Sequence, residues 1–256
     1  NNNTAVGFES LKLNTTGADN STFGYRALCA NTTATENNAF GYEALRGNTT
    51  GCRNTAMGFQ AGTAVTTGDE NTFIGRKAGL GVTTTDNQTA IGSFALSASV
   101  TGANNTAVGK SALAANTSGA HNVAVGCGAL ASTTTSGENT AVGFGALAAQ
   151  TTGSPNEAFG NQSLCKLTTG ICNTAIGFRS MCSNTTGGSN VAIGFNSLRA
   201  NTTASNNTSV GRRSMEDNTT GANNTALGVN ALETNTTASD NVAIGLSSMA
   251  ANTTGA

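Results

Sequence analysis

Residues 105–121 read NTAVGKSALAANTSGAH, and the same phrase returns with small changes along the whole chain. The glycine of its opening NTAVG falls at Gly7, Gly24, Gly41, Gly58, Gly75, Gly92, Gly109, Gly126, Gly143, Gly160, Gly177, Gly194, Gly211, Gly228 and Gly245, always 17 residues apart. Self-similarity at a fixed period decides an architecture before any local motif does. The 256 residues read as one array, 1–256, of fifteen units with no insertion or deletion, a slice of a longer fibre that shows no capping segment.

Each unit is numbered from 0 at its first residue, so that Asn105 holds position 0 and Gly109 position 4. Position 3 is apolar in every copy: Val6, Phe23, Phe40, Met57, Ile74, Ile91, Val108, Val125, Val142, Phe159, Ile176, Ile193, Val210, Leu227 and Ile244. Position 7 is Ala or Ser, position 8 is Leu or Met except at Gly62 and Gly79, and position 2 is Ala in twelve copies. A strand alternates its side chains between two faces, so positions 1, 3 and 5 share a bulky face that includes Phe8, Tyr25, Tyr42, Phe59 and Phe144. Positions 0, 2 and 4 share a nearly bare one of Asn, Ala and Gly. A short helical turn fits positions 6–10, but Gly at 4, Thr-Thr at 12–13 and Gly at 14 leave no room for a long helix. The pattern predicts an all-β fold, a β-solenoid (β-roll or β-helix) with one coil per repeat and two short strands near positions 0–4 and 11–14.

Stacked at strand spacing, ~4.8 Å per coil, the units would form a rod about 70 Å long with identical side chains above one another. Position 0 is Asn in fourteen copies, Gln88 being the exception, which predicts an amide ladder that pins the register. Threonines at positions 12 and 13 pack and hydrogen-bond between coils in the same way. Charges at position 6 alternate at the start (Glu9, Arg26, Glu43), so like charges do not stack. So small an interior leaves the position-3 column outside as a continuous apolar stripe. Soluble monomers rarely tolerate one, and burying it against other copies predicts a cyclic homo-oligomer, with a trimer the first expectation.

Charged residues are 10% of the chain, the net charge is −1 and tryptophan is absent. Nucleic-acid binding needs clustered Lys and Arg, and the twelve here are scattered. No apolar run approaches the roughly 20 residues of a membrane helix, and no secretion leader or lipidation signal is in view. Strict phasing of the apolar residues argues against a disordered linker.

Asparagine at position 11 lies in an Asn-x-Ser/Thr sequon nine times, at Asn14, Asn31, Asn48, Asn116, Asn184, Asn201, Asn218, Asn235 and Asn252. These would place a file of N-glycans along one edge, although Asn-Thr-Thr-Gly is also plain turn chemistry. The Thr-Thr columns raise ice binding by a flat hydroxyl and methyl array, but adjacent positions point to opposite sides, leaving one outward file. Cys165 and Cys182 share position 9 in successive units, within the Cα separation a disulfide needs; Cys165–Cys172 and Cys29–Cys52 are alternatives, as are unpaired thiols. With His121 the only histidine and the acidic residues dispersed, no catalytic triad, metal site or cofactor site is expected.

The motifs NTAVG, NVAIG and NTAIG, followed by SL or AL, resemble the head repeats of trimeric autotransporter adhesins. The full unit is similar to long repeats in viral and phage tail-fibre proteins and in environmental surface proteins. The resemblance covers essentially the whole chain and implies an extracellular fibrous β-solenoid whose aliphatic column is buried among three chains. The unit here is about three residues longer than the adhesin repeat and carries NTTG. Together these readings predict the non-enzymatic shaft of an extracellular fibre, a cell-surface appendage or virion fibre, whose chains associate with themselves; the sequence leaves open whether they also join end to end as a filament. The alternatives are an adhesin that contacts a host surface or glycans, and an ice-binding Thr array.

Overall fold

The computed structural model describes residues 2–254. The chain comprises two compact units, Asn1–Cys127 and Gly128–Ala256. Each is an all-β parallel solenoid with 17 residues per turn, and no helix occurs among the described residues. The first unit has eight short strands, from Thr4–Val6 to Val123–Val125, and the second has seven, from Thr140–Val142 to Val242–Ile244. Within a unit each strand pairs in parallel with the next and in register, as in Thr72↔Thr89, Phe73↔Ala90 and Ile74↔Ile91.

The strand occupies positions 1–3 and stops at the position-4 glycine, whose φ is +139° at Gly24 and +136° at Gly194. A Cβ there would lie 2.4 Å from the carbonyl oxygen of the equivalent glycine one coil on, Gly41 or Gly211. No other residue fits this column.

The segment after it corrects the expected helical turn. Positions 6 and 8 both take left-handed φ, 53° at Arg26 and 49° at Leu28, and position 16 does so again, 60° at Glu36. Such a conformation costs a non-glycine residue roughly 1–2 kcal/mol. Here it aims successive N–H groups at opposite neighbours: Arg26 N donates to Phe8 O of the preceding coil (2.8 Å), Leu28 N to Ala44 O of the following one (2.9 Å), and Glu36 N back to Ala18 O (3.1 Å). The ring of a small coil must close while its backbone groups point along the axis, and these reversals satisfy both demands.

The expected second strand is also corrected. Around positions 12 and 13 the coils do touch, but Thr32 N (3.0 Å), Thr33 N (3.5 Å) and Thr32 Oγ1 (3.1 Å) all donate to the single carbonyl of Thr49. Three donors on one acceptor is a corner, not a ladder.

The interior has an apolar and a polar half. Ala at position 2, Ala or Ser at position 7 and Leu or Met at position 8 are buried, for example Ala107, Ala112 and Leu113. Opposite them runs the predicted amide ladder. Asn190 Nδ2 donates to Asn173 Oδ1 (3.1 Å) and to Ala204 O on the far side of its own coil (2.9 Å), while Asn190 Oδ1 accepts from Asn207 N (3.0 Å) and Asn207 Nδ2 (3.3 Å).

Two departures from the repeat compensate for each other. Phe73 replaces the position-2 alanine and is fully buried. The two glycines at position 8 flank it: a Cβ on Gly62 would lie 2.7 Å from Phe73 Cδ2, and one on Gly79 2.2 Å from Phe73 Cδ1. A large residue moved from the Leu column into the Ala column.

At Gln88 the ladder changes for a related reason. In that coil Val100 is buried and Thr101 N makes the coil-to-coil bond to Thr117 O (2.7 Å), a shift of one residue along the corner. The longer Gln88 side chain still reaches Gly102 O (2.8 Å), but its Oε1 is left without a hydrogen-bond partner.

Candidate functional site

Alternation along the strand puts position 2 inside and positions 1, 3 and 5 outside. In the first unit Val6, Phe23, Phe40, Met57 and Ile74 of the position-3 column are exposed, from 57% at Phe23 to 37% at Ile74. Beside them Phe8, Tyr25, Tyr42 and Phe59 at position 5 stack in one run, with ring centroids 5.4, 5.0 and 5.2 Å apart and planes within 12°. In the second unit Phe159, Ile176, Ile193, Leu227 and Ile244 are exposed at position 3, flanked by Phe144, Phe178, Phe195, Val229 and Leu246. Phe178 and Phe195 stack at 5.4 Å. The rest of the position-3 column, Ile91, Val108, Val125, Val142 and Val210, is half-buried. Each unit thus carries an apolar file at position 3, widened by position 5 over Phe8–Phe59 in the first unit and at Phe144, Phe178, Phe195, Val229 and Leu246 in the second, while Arg76, Ser93, Lys110, Asn161 and Arg212 interrupt the second file. The members at Phe178, Phe195, Val229 and Leu246 were not singled out from the sequence, and reading position 5 as a column would have found them.

Ion pairs border the stripe in adjoining columns. Arg26 and Glu9 meet at 2.8 Å across two coils, Arg53 and Glu70 at 2.9 Å, and Arg199 and Glu216 at 2.8 Å. Burial alone would raise the Glu216 carboxyl, but hydrogen bonds from Arg213 and Arg199 outweigh it and hold the group below the usual carboxylate range.

The sequon asparagines do not face outward. Asn31, Asn48, Asn116, Asn184, Asn201, Asn218 and Asn235 are fully buried, and Asn14 and Asn252 are half-buried. Their Nδ2 groups donate across the turn, for example Asn48 to Gly51 O (2.8 Å) and Asn218 to Gly221 O (2.9 Å). The nitrogen that would carry a sugar is spent inside the coil. This corrects the reading of position 11 as an outer edge, and the sequon there is turn chemistry.

Threonines at position 13, such as Thr50, Thr67 and Thr186, are exposed, while those at position 12 are half-buried over the next coil's carbonyl. One outward hydroxyl file results.

All six cysteines are free. Cys165 and Cys182 are brought together, with Sγ atoms 2.9 Å apart. They lie in an open basin lined by Gln162, Lys166, Arg179, Ser183 and Arg199. The basic lining was legible in the columns, since Arg199 continues position 9 and Arg179 follows Gln162 at position 6. Among the described residues no three His, Cys, Asp or Glu side chains converge as metal ligands, and no helix is long and apolar enough to cross a membrane.

The class this geometry defines is the parallel β-solenoid with an external apolar stripe. Compared with known proteins, the chain matches no family model, no curated protein and no solved structure.

Proposed function

We propose that this chain is the structural shaft of an extracellular fibre, in which copies of the chain bury their apolar stripes on one another, three to a fibre. The observation that carries the reading is the stripe itself: large apolar side chains stand outside at positions 3 and 5 while alanine is kept inside. Apolar surface exposed in successive coils favours association by roughly 25 cal/mol for each Å² removed from water, and a parallel in-register column meets its equivalent on a second copy coil by coil. The resemblance of the NTAVG units to trimeric adhesin heads and tail-fibre repeats supports three chains and an extracellular setting. End-to-end joining into a filament belongs to the same reading.

The test is the mass of the native chain by analytical ultracentrifugation, before and after Phe178→Lys and Phe195→Lys together. Both side chains are exposed, so the monomer's interior is untouched. A trimer that falls apart in the variant supports the shaft; a monomeric parent chain sinks it.

A second reading is favoured by the aromatic run Phe8–Tyr25–Tyr42–Phe59, a stack of exposed rings beside Glu9 and Arg26. There the chain would itself adhere to a host surface or glycan. Ice binding draws less support, because a single threonine file faces solvent.

A further inference from the structure

We propose that Cys165 and Cys182 form a redox lock between two successive coils, closed by exchange with a small, negatively charged disulfide that the adjoining basic basin attracts. The inference is independent of the fibre reading.

Three observations carry it. Both residues stand at position 9 of in-register parallel coils, which holds their backbones about one strand spacing apart, ~4.8 Å, inside the 4.4–6.8 Å window for a disulfide. Their sulfurs already touch at 2.9 Å, and both side chains are half-exposed. No other two successive units share a cysteine column.

The second observation is charge. Lys166, Arg179 and Arg199 line the same basin. Glu216 at 2.8 Å and Asp217 at 3.8 Å pair with Arg199 and offset it, and Arg179 Nε donates to the neutral Gln162 Oε1 at 2.9 Å. Lys166 and Arg179 thus keep an uncompensated positive field over the thiols.

The third is an asymmetry between the sulfurs. The contact with Cys165, helped by Lys166, Arg179 and Arg199, lowers the Cys182 thiol and overcomes its partial burial. The same contact raises Cys165. Position gives the same order: in the position-9 column Cys182 lies between Cys165 and Arg199, whereas Cys165 has Ala148 on its other side, so Cys182 is assigned as the nucleophile and Cys165 as the resolving thiol.

The exchange balances as follows. Cys182 thiolate attacks one sulfur of the incoming disulfide, that S–S bond breaks, and one small thiolate leaves. Cys165 gives its proton to the departing thiolate and attacks Cys182 Sγ, expelling the second small thiolate. Two protein thiols are oxidised and one small disulfide is reduced to two thiols.

The probe is oxidised glutathione on the full folded chain, with neutral hydroxyethyl disulfide as the comparison. A peptide map should show Cys165 linked to Cys182, formed about tenfold faster with the anionic reagent at low salt and with little preference at high salt. Cys165→Ser should stop at the mixed disulfide on Cys182. Lys166→Gln with Arg179→Gln, both at exposed side chains, should erase the preference while leaving the link able to form. Modification of the exposed Cys127 and Cys172 with the pair left free would overturn the proposal. So would equal rates for the two reagents at low salt.

Discussion

Replacing Phe73 with alanine tests whether the array is held together by column volumes. Phe73 is fully buried, and removing a buried phenyl ring costs about 3–5 kcal/mol in lost transfer energy and residual cavity. Adding leucine at Gly62 and Gly79 with Phe73 in place is also unfavourable, because the new Cβ atoms would lie 2.7 and 2.2 Å from the ring. Overpacking of this kind typically costs about 1–3 kcal/mol. Combining all three changes restores the arrangement of the other coils, with Ala at position 2 and Leu at position 8. The left-handed backbone is already in place, since Gly62 (58°) and Gly79 (60°) have φ close to that of Leu45 (49°) and Leu96 (48°). The triple variant should therefore lie within about 2 kcal/mol of the parent, where independent sites would sum to about 4 kcal/mol or more. A solenoid need not unfold in one step, so native-state hydrogen exchange is the suitable assay. The amides of Gly62 and Gly79, bonded to Ala78 O and Ala95 O, report the opening of these coils. Leucine for Gly62 and Gly79 would keep the same backbone bonds. A triple variant as unstable as the sum of its parts would refute the compensation.

Asn190→Ala removes four ladder hydrogen bonds and strands Asn207 N–H inside; at about 1 kcal/mol per bond plus about 1–3 for the stranded donor, a loss of about 5–7 kcal/mol is expected, seen as faster exchange of the Asn207 amide. Gly194→Ala should open its coil at a cost above about 3 kcal/mol, from a Cβ at 2.4 Å to Gly211 O added to a φ that alanine resists; an unchanged urea midpoint would contradict the close approach. The carboxyl of Glu216 is depressed by Arg213 and Arg199, so its contribution to stability is complete above the ordinary carboxylate range near 4.5 and is lost as the pH falls through the lower folded value. An acid titration should show Glu216→Gln less sensitive below pH ~4 than the parent.

The exposed stripe and the buried ladder were both legible before any coordinates, because fifteen copies in one chain act as their own comparison. A column that stays Asn, or stays apolar, over that many coils states which face it occupies once the strand period of two is applied. Position 11 was misread because the test that works for a strand does not work at a corner. An Asn followed by Thr-Thr-Gly looks the same whether its amide points to solvent or back to the carbonyl three residues on, and Asn48 and Asn218 take the second course. Phe73 with Gly62 and Gly79 was visible as three exceptions, yet only the placement of two glycines beside one ring made them a single event.

By itself the sequence determined the pitch of 17 residues, the in-register stacking, a strand near positions 0–4 and the separation of alanine from the bulky column. All of these follow from periodicity, which is a property of residue order. Only the tertiary structure decided that leucine at position 8 and charged residues at positions 6 and 16 adopt left-handed φ and that the second predicted strand is a corner. The local chain disfavours those φ values. They persist because each reversal delivers an N–H to a carbonyl in the coil above or below, a partner that exists only after the coils have stacked.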